Sequence, residues 1–98
     1  MNMREIQKMQ QKLLKMQEEM EANHFTGTAG GGAVTITMSG KFEIVAVKID
    51  PEAFSAEEII ELEVMVKAAA KDAFDKVQDA QQKLVSNATG GMRIPGIF

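Results

Sequence analysis

Few residues in this chain could do covalent chemistry. His24 is the only histidine and there is no cysteine, which removes thiolate nucleophiles, disulfides and Cys-ligated metals together. No serine has a base placed near it by the pattern, and a lone histidine at a strand start is structural or simply exposed. Glu57, Glu58 and Glu61 resemble an acid/base cluster, but they fall in the first turns of a helix, where carboxylates complement the dipole. The stretch GTAGGGA could cradle a phosphate, yet such loops draw on a following helix N-terminus, and here a strand follows. Gly40-Lys41 fails the P-loop pattern, with Thr35 where the first glycine belongs and Phe42 in place of Ser or Thr. No cofactor, metal or catalysis is expected. What remains is charge: Arg4, Lys8, Lys12 and Lys15, interrupted only by Glu5.

The element that must position these cations is a helix. Ile6, Met9, Leu13, Met16 and Met20 recur at spacings of three and four with no Gly or Pro between them, which predicts a helix over 3–22. The methionine-rich stripe reads as core packing, since thioethers fill irregular gaps. At about 100° per residue the basic residues fall away from that stripe. Glu18, Glu19 and Glu21 crowd the other end, so the helix is charge-polarised along its length.

The period then changes to two. AVTITMS sets Val34, Ile36 and Met38 against Thr35, Thr37 and Ser39, a half-buried strand. Gly40-Lys41 suits a tight hairpin into FEIVAVKI. In this second strand Phe42, Ile44 and Ala46 share one side and Val45, Val47 and Ile49 the other, which predicts that both faces are covered. His24 to Ala29 is a further strand candidate joined through Gly30-Gly31-Gly32, giving a three-stranded antiparallel meander.

Asp50-Pro51 stops the last strand. Ser55 and Glu58 form a capping box that opens a long helix over 55–88. Its apolar stripe (Ile59, Leu62, Val66, Ala69, Ala73, Val77, Ala80, Leu84, Ala88) advances about 3.6 residues per step, as a straight helix does. This helix would be about 45 Å long and the first about 30 Å, against strands of about 20 to 23 Å. The helices overhang the sheet, leaving Ala80, Leu84 and Ala88 in water and strand edges open. A symmetric homodimer covers both.

The 98 residues and 45% hydrophobic content suit one soluble α+β domain. No apolar run reaches the roughly 20 residues of a membrane span, and MNMREIQKMQQ lacks a signal core, so a cytoplasmic place is expected. A net charge of -3 argues against a uniformly basic nucleic-acid binder. Without Trp or Tyr there is no stacking platform for single strands, so duplex backbone is the expected nucleic-acid partner. The tail GGMRIPGIF is apolar where termini are usually polar. Pro95 and Gly96 can fold Met92, Ile94, Ile97 and Phe98 back onto the dimer or present them to a partner.

Helix, Gly-rich hairpin, VTITMSGK, VKIDPE, long helix and GGMRIPGIF, in this order, resemble the YbaB/EbfC family of small bacterial nucleoid-associated proteins. The resemblance covers nearly the whole chain. It implies an α-β-β-β-α fold, a tweezer-shaped homodimer, and double-stranded DNA binding with little sequence preference on the nucleoid. Influence on nucleoid organisation, gene expression and DNA repair goes with that reading. Family DNA contacts lie on the terminal helices, which here assigns Arg4, Lys8, Lys12 and Lys15. Lys67, Lys71, Lys76 and Lys83 follow, although Asp72, Asp75 and Asp79 are interleaved with them. The alternative is an acidic interaction module of the replication or recombination machinery, docking through its tail with incidental DNA affinity.

Overall fold

In the computed structural model, which describes residues 2–88, the Asn2 side chain accepts a hydrogen bond from the Glu5 amide at 2.9 Å and starts α1 (Met3–Ala22). The helix ends as the Asn23 amide bonds the Met20 carbonyl. Three strands follow: β1 (His24–Ala29), β2 (Val34–Ser39) and β3 (Ile44–Ile49), antiparallel in the order β1-β2-β3. Gly30, Gly31 and Gly32 all hold positive φ, a run of conformations costly for any residue with a Cβ. Asp50 then closes the sheet: its amide bonds Ala33, and its carboxylate accepts from the Glu52 amide at 3.0 Å.

α2 (Ile59–Ala88) is entered through a 3-10 turn at Ala56–Glu58. The capping box is formed, with the Glu58 carboxylate accepting from the Ser55 amide at 3.2 Å and from its hydroxyl at 2.9 Å. The core lies where α2 crosses β1 and β2: Val34, Ile36, Met38, Ala69, Ala73 and Val77 are buried, with Met20 at one end. The approach is close because β1 carries Gly27. A Cβ there would meet the Ala69 carbonyl and the Ala73 amide of α2, and would lie 2.9 Å from Ala73 Cα. Asp72 accepts from the Thr28 amide at 3.0 Å, and Lys76 donates to the Thr26 carbonyl at 2.7 Å. Together they satisfy polar groups on the free edge of β1, which β2 does not reach.

Four expectations change. The α1 stripe is core only at its end: Met20 is buried and Met16 half-buried, whereas Ile6, Met9 and Leu13 are 39 to 49% exposed, because α1 projects away from the sheet. β3 is exposed along its whole length, since α2 lies over β1 and β2 and no described residue covers the opposite face. Phe42 is not in a strand. It sits in the turn at φ 63°, its ring against Phe74 at a centroid separation of 4.8 Å, so the turn takes its left-handed residue there and not at Gly40. Finally, Ile44 and Ala46 do not share a side. A bulge opposite Thr37/Met38 pairs Met38 with Ile44 and Thr37 with Ala46, which places the extra residue at Val45.

The helices do overhang, as the 66 Å longest dimension shows. Ala80 and Leu84 are nonetheless half-buried, because the end of α1 folds beside them. The tail positions Met92, Ile94, Pro95, Ile97 and Phe98 lie outside the described residues.

Candidate nucleic-acid interface

The two helices place their cations in different electrostatic states. On α1, Arg4, Lys8, Lys12 and Lys15 are all exposed, and none has an acidic partner among the described residues. They occupy an arc of about 80° and a length of about 16 Å on the helix surface. Residues 3–15 carry four cations against Glu5, a net +3, whereas residues 16–22 carry Glu18, Glu19 and Glu21, a net -3. The acidic end abuts the sheet, where Glu21 lies 3.8 Å from Lys41. The basic end is the free tip.

Gly40 fixes how that tip is carried. Its amide bonds the Asn23 carbonyl at 3.2 Å and its carbonyl accepts from the Gln81 side chain at 2.9 Å. A Cβ on Gly40 would strike the Met20 carbonyl and lie 2.9 Å from Glu21 Cα. The glycine is required by this approach of α1, not by the turn that it begins.

On α2 three of the four lysines are already engaged. Lys71 pairs with Asp75 at 2.7 Å, Lys83 with Asp79 at 3.0 Å and Lys76 with Asp72 at 3.4 Å, each four residues away along the helix. The hydrogen bond to Asp75, with its charge, holds the Lys71 ammonium above the ordinary lysine range. The Thr28 amide holds the Asp72 carboxyl below the ordinary aspartate range, with the Lys76 charge adding to it. Lys67 alone of the four has no ion pair among the described residues. Exposed pairs of this kind are worth little as stability, but they neutralise the α2 surface locally. The structure therefore separates the eight sequence candidates into four free cations on one helix tip, one free cation on α2, and three compensated ones.

Two features escaped the sequence. Lys48 of β3 is exposed without an ion pair among the described residues, on the open sheet face beside its cross-strand partner Thr35. It alternates with apolar neighbours, and that was its only signal. The pairing of Asp72 and Lys76 with β1 spans 44 and 50 residues and has no local signature. His24 is exposed, Glu58 is committed to the capping box, and the glycine run leads into β2 and not into a helix. Among the described residues no group of His, Cys, Asp or Glu is placed to hold a metal ion, and no helix is long and apolar enough to cross a membrane.

The comparisons with known proteins agree with this architecture. The family model described as the YbaB/EbfC DNA-binding family matches residues 1–92. A nucleoid-associated protein of Pelotomaculum thermopropionicum is 42% identical over 96 residues, covering 98% of this chain and 91% of the relative. One from Dictyoglomus turgidum is 39% identical over 97 residues, covering 98% and 93%. Among solved structures, an uncharacterized protein of Helicobacter pylori shares the fold at a TM-score of 0.73 and 21% identity, covering 89% of this chain and 96% of that one. With nearly its whole length matched by the family model, the chain belongs to the YbaB/EbfC DNA-binding family.

Proposed function

We propose that this protein is a nucleoid-associated, double-stranded DNA-binding protein that acts as a homodimer and grips the phosphate backbone with the basic tips of its first helices. The observation that carries the reading is the contrast between Arg4, Lys8, Lys12 and Lys15, which have no acidic partner among the described residues, and the α2 lysines, of which three are paired to aspartates. A duplex carries one negative charge per roughly 1.7 Å of axis. A cationic helix face about 16 Å long therefore meets several phosphates without reading base edges. Affinity comes from counterion release, and sequence preference is slight.

The homodimer follows from surface that a single chain leaves uncovered. Ile44, Val45, Val47 and Ile49 of β3 are 43 to 57% exposed, and Ile60 and Val64 of α2 are 72% and 63% exposed. The β3 residues form one exposed apolar patch beside an open strand edge and the α2 residues leave another apolar surface uncovered, more than scattered surface apolar residues account for. Pairing these surfaces with their copies under a two-fold leaves both α1 tips free and doubles the basic surface.

Band-shift or anisotropy titration of a duplex at several salt concentrations tests the reading. Eight α1 cations per dimer, half of them on phosphate, give a log-log salt slope of roughly -3 to -4. Replacing Arg4, Lys8, Lys12 and Lys15 by Ala should abolish both the affinity and the slope. Unchanged binding by that variant, with its fold and oligomeric state intact, would refute the assignment.

A further inference from the structure

Eight methionines in 98 residues would pass as gap-fillers, but two of them hold α1 in place. Of the apolar side chains of α1, only Met20 is buried and only Met16 is half-buried, whereas Met3, Ile6, Met9, Leu13 and Leu14 are 39 to 73% exposed. Met16 and Met20 meet Leu84 of α2 in a joint flanked by two open cavities of about 480 and 360 Å³, and both methionines line both cavities. We propose that Met16 and Met20 form a reversible oxidation site: sulfoxide formation at these two thioethers releases α1 from α2.

The oxidant is a peroxide. The sulfur lone pair attacks one oxygen of hydrogen peroxide, an S–O bond forms as the O–O bond breaks, and the other oxygen leaves as water. Sulfur loses the two electrons that the peroxide gains. Hydrogen peroxide is little larger than water, which occupies roughly 30 Å³, so cavities of this size bring it to both sulfurs although Met20 is only 7% exposed. Met38 is as buried, at 6%, but lines neither cavity and is spared. The product no longer suits its surroundings. A sulfoxide is polar and chiral, whereas Leu84, Ala80 and Phe25, which line these cavities with the sulfurs, offer it no donor. An acceptor left unpartnered there disfavours the docked arm roughly tenfold per sulfoxide. The other links to α1 are polar and few: the Gly40 amide on the Asn23 carbonyl, and Lys41 at 3.8 Å from Glu21. Attachment of α1 is the property at stake, so the inference stands whether or not the arm binds DNA.

Peroxide titration of the full-length protein, with peptide mapping by mass spectrometry, should convert Met16 and Met20 to sulfoxides before Met38. Amide exchange over residues 13–20 should then quicken roughly tenfold or more. It should return to its starting rate after treatment with the two methionine sulfoxide reductases, dithiothreitol being oxidised as the oxygen leaves as water. Met16→Leu with Met20→Leu, close in volume, should abolish the response. Met3→Leu with Met9→Leu alters two exposed residues that line neither cavity and should retain it in full, which keeps the test decisive if the first pair does not fold. Met20 staying reduced until Met38 oxidises with it overturns the proposal, as do sulfoxides at both positions with unchanged exchange. So do fast exchange that the reductases fail to reverse, a response that persists in the Met16, Met20 variant, and one that is lost in the Met3, Met9 variant.

Discussion

Gly27→Ala is the smallest change that tests how this fold is held. The added methyl would overlap the Ala69 carbonyl and the Ala73 amide and sit 2.9 Å from Ala73 Cα. All three are backbone atoms of α2, so no rotamer change relieves the contact and the helix must lift by about 1 Å, enough to forfeit a quarter to a half of each dispersion well along the seam. That seam holds Val34, Ile36, Ala69, Ala73 and Val77, the least exposed side chains among the described residues at 0 to 1%. The Thr28–Asp72 and Thr26–Lys76 hydrogen bonds lengthen with it. Overpacking costs about 1 to 3 kcal/mol, which lowers Tm by roughly 5 to 20 °C in a domain of this size. Thermal or denaturant unfolding followed by circular dichroism, at matched protein concentration because a dimer's Tm depends on it, reads this directly. Gly31→Ala is the control. No atom lies within 4 Å of its Cβ, although its φ is +66°, so it costs only the left-handed backbone, about 1 to 2 kcal/mol. If Gly27→Ala unfolds within about 0.5 kcal/mol of the parent, the close-approach argument is wrong.

Three further outcomes are expected. Lys8→Ala should reduce the magnitude of the salt slope by about 1 to 2, one phosphate contact from each subunit, whereas Lys71→Ala, which removes a lysine already paired with Asp75, should leave it unchanged in the same titration. Asp72→Asn should lower stability at neutral pH. The wild-type carboxylate has its pKa depressed by the Thr28 amide and Lys76, so its contribution is complete above the ordinary value of 3.8 and vanishes as pH falls through the depressed one. Denaturation curves of the two proteins should therefore differ at neutral pH and draw together as pH falls through the depressed pKa. Ile60→Asp alters a side chain that is 72% exposed. It should leave the secondary structure intact while shifting sedimentation from dimer to monomer, and a dimer that persists unchanged would remove this patch from the interface.

The element order was readable in the sequence because periodicity reports local geometry. The stripe of α1, the alternation of β2, the Asp50-Pro51 stop and the Ser55 capping box each reappear in the structure. Periodicity marks a face as apolar but does not say what covers it. For that reason Ile6 and Met9 read as core although a single chain leaves them exposed, and β3 read as doubly covered although α2 passes over β1 and β2. The bulge at Val45 and the turn conformation of Phe42 depend on contacts with β2 and Phe74 that local propensity does not contain. Gly27 gave no signal as a helix-contact residue, because the close approach exists only once Ala69 and Ala73 are laid over it. Among the candidate contacts, the Lys-Asp pairs of α2 were foreshadowed by the interleaved aspartates at helix spacing. The free state of the α1 cations follows from the projection of α1, which only the fold reveals.

The junction at Gly40 also makes α1 a lever. Arg4 lies sixteen residues from Met20, an arm of about 24 Å. A swing of about 10° at the fulcrum sweeps the tip through about 4 Å, slightly more than the 3.4 Å axial step between phosphates on one strand. A small angular change at one glycine is thus amplified into a translation of the charged end. A side chain there would change where the tip reaches, leaving every cation in the chain intact.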